Sequence, residues 1–118
     1  MKNKENILNN DTSTSQTSKL LSMLEGRWKA QILYELRNYD SVRFSTLKKK
    51  LPGITNTMLS KSLRELEKDG LVERTLYSEI PLHVEYSFTP MGKDLLPIFN
   101  EITNWGNKYE KDLLQRGV

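Results

Sequence analysis

The chain contains no cysteine. Disulfides, thiolate metal sites and thiol redox switching are therefore outside its chemistry. It has one histidine, His83, and a lone histidine does not make a metal site. Its six glycines form neither a G-x-G-x-x-G nor a P-loop pattern, so no phosphate cradle is written into it. Glu65, Glu67 and Asp69 are spaced as on a solvated helix among lysines and arginines. With no nucleophile–base pair and no metal cluster, catalysis lacks its parts. The chain reads as a non-enzyme without a cofactor. No apolar run approaches the ~18 residues that cross a bilayer. The first residues also lack the apolar core of a signal peptide. The expectation is a soluble cytoplasmic protein with no membrane partner.

What is present fits one domain of 118 residues carrying 18 Lys and Arg against 15 Asp and Glu. A net charge of +3 permits a polyanionic partner without demanding one. Residues 1–17 are rich in Asn, Ser and Thr and have little to bury, which predicts a flexible arm. Residues 18–118 form the domain. A short helix is expected over 18–24, with Ser18 as its cap and Leu20, Leu21 and Leu24 on one side. A stronger helix over 27–38 places Trp28, Ile32, Leu33 and Leu36 in one stripe. Val42-Arg43-Phe44 predicts a short strand pairing with a later hairpin. Ser45 predicts the cap of a brief helix that buries Leu47 and Leu51 and turns Lys48, Lys49 and Lys50 outward.

The segment 52–77, PGITNTMLSKSLRELEKDGLVERTLY, organises the rest. Pro52-Gly53 is a turn and Thr55 an N-cap. The helix over about 55–69 should stop at Gly70 in a left-handed conformation. Leu59, Leu63 and Leu66 fall in one narrow stripe, while Thr57, Lys61, Arg64 and Lys68 lie opposite, flanked by Asn56 and Ser60. Such a face has the donors, acceptors and cations that base edges and phosphates require. Periodicity alone shows amphipathicity, however, and a solvated surface explains the same pattern. The downstream chain decides between them. LVERTLY and HVEYSF are strand candidates around a turn at SEIPL, giving a wing over about 71–88. After it, Thr89-Pro90 starts a helix. Met91, Leu95, Ile98, Phe99, Ile102, Trp105, Tyr109 and Leu113 continue it, with Pro97 kinking or splitting it and Gly106 a weak point. This apolar face exceeds what one small domain covers, which points to a dimer seam.

The chain resembles the HxlR-type winged-helix transcriptional regulators, a branch related to the MarR-like regulators. The matching segments are LLSMLEGRWKAQILYEL, VRFSTLKKKLPGITNTMLSKSLRELEKDGLVERTLYSEIPLHVEYSFTPMGKDLLPIF and NWG, over about 20–106. The densest part is 43–95. The resemblance implies a mainly α fold with a small β-hairpin wing, a dimeric winged helix-turn-helix. It also implies a homodimer on operator double-stranded DNA that regulates transcription, with repression the expected sense. Many relatives sense oxidants through a cysteine upstream of a Gly-Lys-Trp stretch, here Gly26-Arg27-Trp28. The ungapped equivalent lies near Ser15, so any signal must be a non-covalent effector of unknown identity, a partner, or abundance.

Residue roles follow from position. Asn56, Thr57, Ser60 and Lys61 are the candidates for base readout, with Arg64 reaching a base or a phosphate. Arg43, Lys48, Lys49, Thr55, Arg74 and His83 are candidates for the DNA backbone. The wing tip carries an acid, Glu79, whose repulsion of phosphate leaves it to orient a neighbouring cation. Leu20, Leu21, Leu24, Ile102, Trp105, Tyr109 and Leu113 are the dimer candidates. Trp28 and Trp105 lie on apolar stripes, which favours packing over a ligand pocket. The alternative function is a winged helix that contacts proteins without binding DNA, which would show apolar anchors where Thr57, Lys61 and Arg64 stand.

Overall fold

The computed structural model describes residues 15–117. Residues 15–22 are helical (α1), followed by α2 (Lys29–Leu36), β1 (Val42–Arg43), α3 (Phe44–Lys50) and α4 (Asn56–Lys68). Then come β2 (Val72–Tyr77), β3 (His83–Phe88), α5 (Pro90–Lys93), α6 (Leu96–Lys108) and α7 (Glu110–Gln115). The arm expected over 1–17 lies outside the described residues except for 15–17. Those three are already helical, so Ser18 sits inside α1 rather than capping it. Among the described residues, no helix is long and apolar enough to cross a membrane.

One core joins α2, α3, α4 and the base of the sheet. Ile32, Leu33 and Leu47 are fully buried, as are Leu59 and Leu66, with Leu36 and Leu63 at 1% exposure. Complete burial of each such side chain contributes about 1.5–3 kcal/mol. The α2 stripe read from sequence is the stripe that packs, although the helix proper begins after Trp28. Phe44 departs from expectation. It opens α3 instead of extending β1, because Arg43 in extended backbone is the N-cap and Ser45 falls within the first turn.

The sheet is antiparallel with order β1-β3-β2, pairing Val42 with Tyr86 and Arg43 with Glu85. Because β3 is the middle strand, all six of its residues are half-buried, and the two-sided contrast expected along HVEYSF is muted. The stop of α4 is a Schellman arrangement. Gly70 has φ +79, its N–H donates to Glu67 O at 3.0 Å, and Leu71 N–H donates to Leu66 O at 2.9 Å.

Thr89 ties the wing to both neighbours. Its hydroxyl donates to Gly70 O at 2.5 Å and accepts from Gly92 N–H at 3.0 Å, so one side chain caps α5 and closes the end of α4. The terminal helix is split as Pro97 predicts, with the break at Asp94-Leu95 and proline in the first turn of α6. A further break falls at Tyr109, three residues beyond Gly106. The radius of gyration is 17.8 Å, against about 13 Å for a compact chain of 100 residues.

Gly92 is buried where α5 crosses Leu71, and a Cβ there would lie 2.0 Å from Leu71 O. Gly92→Ala should therefore destabilise the fold by about 3 kcal/mol or more. Chemical denaturation checks this, and a midpoint equal to that of the parent would contradict the packing described.

Candidate nucleic-acid interface

The rotational setting of α4 decides which side chains are presented. Leu59, Leu63 and Leu66 face inward, so Asn56, Thr57, Lys61 and Arg64 are exposed and Ser60 is half-buried beside them. Thr55 is the N-cap, its hydroxyl accepting from Met58 N–H at 3.1 Å. The five readout candidates thus share one continuous outer surface. Lys48 and Lys49 are exposed in the last turn of α3, and Arg43 is exposed where β1 gives way to α3.

Arg74 is exposed on β2, opposite Tyr86 in the register. With Ser60, Arg64 and Glu67 it lines a cleft of about 420 Å³ between α4 and the wing. His83 is less free. Its Nε2 lies 2.9 Å from Glu85 Oε2, its Nδ1 lies 3.3 Å from Pro81 O, and its ring stacks on Tyr77 with centroids 4.8 Å apart. Glu85 also accepts from the Ser41 hydroxyl. That bond first, and His83 second, hold the Glu85 carboxyl below the usual range. Sequence pattern did not mark Glu85 or Ser41, because their association depends on the β1–β3 pairing across 44 positions. At the tip Glu79 is exposed and in no ion pair among the described residues. Ile80 is 99% exposed.

On the other side of α4, Lys29 Nζ lies 2.7 Å from Glu65 Oε2. This hydrogen bond holds the Glu65 carboxyl below its ordinary value, with Lys61 and Arg64 adding smaller attractions. The pair links the start of α2 to the second half of α4.

The dimer candidates are placed apart from this surface. Leu20 and Leu21 on α1 and Ile102 and Trp105 on α6 are each more than half exposed. Leu24 and Leu113 are half-buried, and Tyr109 is exposed with its ring 5.6 Å from that of Trp105. Of the expected terminal stripe only Phe99 is buried, packed edge-on against Tyr34.

A helix presented in this way, preceded by a short helix and a turn and followed by a β-hairpin, defines a winged helix-turn-helix protein. A family model described as HxlR-like helix-turn-helix matches residues 23–113. An HTH-type transcriptional regulator of Bacillus subtilis (strain 168), YdzF, is 45% identical over 86 residues, covering 73% of this chain and 79% of that protein. The solved structure of the redox regulator HypR in its reduced form matches with a TM-score of 0.78 and 35% identity over 85% of this chain and 98% of that one. A structure described as a MarR-family transcriptional regulator from Enterococcus faecalis V583 matches with a TM-score of 0.77 and 34% identity, covering 86% of this chain and 92% of that one. The chain belongs to the HxlR-like helix-turn-helix family.

The Lys29–Glu65 pair gives a pH prediction. A carboxyl lowered in the folded state stabilises the fold above the ordinary carboxylate range, and this is lost as pH falls through the lowered value. Glu65→Gln should slightly lower the thermal midpoint at neutral pH and leave it unchanged in strong acid. Equal shifts at both pH values would show that the glutamate matters for packing rather than for charge.

Proposed function

We propose that this protein acts as a homodimer binding specific operator sequences in double-stranded DNA, with α4 in the major groove and the wing on the flanking backbone or minor groove. Regulation of transcription through DNA accords with its family. The observation that carries the finer reading is the outer face of α4, where an amide, two hydroxyls and two cations stand together on a helix whose other face is wholly buried leucine. Asn56, Thr57, Ser60, Lys61 and Arg64 read bases. Thr55, Arg43, Lys48, Lys49 and Arg74 hold the backbone, and His83, engaged with Glu85, contributes where a phosphate favours its charged form. Repression is the expected sense. Residues 18–118 act as the DNA-binding and dimerising unit, residues 1–17 as an arm.

A protein-contact module would need apolar anchors on this face. Met58, at 43% exposure, is the one large apolar side chain that α4 exposes. The anchors instead lie on α1 and α6, where Leu20, Leu21, Ile102 and Trp105 suit a twofold seam.

Fragments selected from the source genome by the purified protein supply the operator for testing. Asn56→Ala or Lys61→Ala should lose roughly 1–3 kcal/mol of discrimination between operator and altered sites. Fluorescence anisotropy on both duplexes measures this. Equal weakening on every sequence would move the residue to the backbone set. Trp105→Ala should weaken self-association, read by sedimentation velocity, and an unchanged dimer population would remove Trp105 from the seam.

A further inference from the structure

Along α4, Met58, Ser62 and Glu65 lie on one flank and Ser60 and Glu67 on the other. A cleft opens beside each flank. The wing-side cleft sets Arg64 of α4 against Arg74 of β2. The other, about 370 Å³, lies between α4 and the turn that precedes α2, and it sets Lys61 of α4 near Arg27. All four cations are exposed and outside any salt bridge among the described residues. Each cleft therefore pairs a cation of α4 with one from a different element.

One residue that lines the second cleft carries a further donor. Trp28 lines it and is 6% exposed, and its indole N–H is buried with no acceptor among the described residues. A buried donor left unmet is costly, and native folds rarely leave one without reason. The Arg27 guanidinium lies over the Trp28 ring, 4.7 Å from its centroid. The charges there are three cations, Arg27, Lys29 and Lys61, against two acids, Glu25 and Glu65. Lys29 already neutralises Glu65 at 2.7 Å. What is left is two free cations, an unmet N–H and the Ser62 hydroxyl, with Glu25 the one opposing charge. That set suits an oxyanion such as a phosphate.

An α-helix with its side chains is about 10–12 Å across. The major groove is about 12 Å wide. A helix lying in it has a sugar–phosphate backbone along each flank. We propose that the Arg27–Trp28 turn is a second backbone clamp. It holds a phosphate of the strand opposite the one that Arg74 holds beside the wing. This rests on the DNA reading above and adds two residues to it. Arg27 supplies the charge, Lys61 strengthens the local positive field while it reads bases, and the Trp28 N–H becomes available when the cleft opens over it. Glu25 at the same cleft opposes binding.

Three measurements test the clamp, using the full chain with its selected operator and with a mixed-sequence duplex. Arg27→Ala should weaken both complexes by the same factor and reduce the slope of log affinity against log salt by about 0.9, one phosphate's worth. Glu25→Gln should tighten both complexes, a gain that misfolding cannot produce. In ¹⁵N-labelled protein the Trp28 indole resonance, assigned with the help of Trp105→Phe, should move when duplex is added. The clamp is overturned if Arg27→Ala and Glu25→Gln leave affinity and slope at parental values. It is overturned equally if inorganic phosphate moves the Trp28 resonance while duplex does not, which would make the cleft a site for a free anion. Failure of the unaltered protein to bind any duplex would overturn the function proposed above along with the clamp.

Discussion

The three-leucine seam of α4 is the constraint on which the rest depends. Leu59, Leu63 and Leu66 enter a core built from α2, α3 and the sheet base. Truncating a fully buried leucine to alanine costs about 2–5 kcal/mol. A rotation of α4 large enough to hide Lys61 would expose all three, so the fold's main stabilising contact also fixes the outward face. Presentation of the polar side chains therefore needs no device of its own. The Lys29–Glu65 bridge adds only fine positioning, as partly exposed pairs contribute little.

Position along the helix axis is fixed separately, at its two ends. Thr55 satisfies the first turn, and the left-handed Gly70 ends the last. Thr89 then joins that end to the start of α5, so α4, the wing base and the terminal helices share one junction. A shift of α6 on the proposed dimerisation would reach α4 through Thr89 and Gly70 rather than through the exposed wing tip. Close approach at Gly92, which leaves no room for a Cβ, keeps that junction tight.

Most features governed by local chemistry were legible in the sequence, although Ser18 and Ser45, read as caps, lie inside their helices. The leucine stripe, the Thr55 and Thr89 caps, the Gly70 stop and the split near Pro97 each depend on residues within a few positions of one another. Features governed by tertiary pairing were not. Phe44 reads as strand beside Val42 and Arg43, yet the backbone turns into α3 there. The half-burial of every residue of β3 follows from its central place in the sheet, which alternation cannot reveal. The same division runs through the candidate site. The α4 face came from periodicity, whereas the approach of Arg27 to Lys61 and of Arg74 to Arg64 required the folded chain. Gly26-Arg27-Trp28 did stand out in sequence, but as a landmark for alignment, and nothing local marked its indole as unpartnered.

The missing cysteine bears on how such a protein is controlled. The solved neighbour HypR is described as a redox regulator, and it shares the fold at 35% identity. This chain has no thiol with which to form or break a covalent link. In the proposed dimer, a non-covalent signal would act through differential binding, favouring one arrangement of the two α4 helices by as much as it binds that arrangement more tightly. The geometry offers two places for such a signal to act. One is the apolar surface of α1 and α6, where Leu20, Leu21, Ile102 and Trp105 are exposed. The other is the cleft beside Arg27, where, under the clamp proposed above, an anion would compete with DNA backbone. If the chain dimerises through that surface as proposed, the first would alter the distance between the two α4 helices and so select among operator spacings. The second would remove phosphate contacts without changing that distance, and would weaken all sequences alike. Loss of spacing preference and uniform loss of affinity are separable outcomes, so the mode of control is legible in how binding fails.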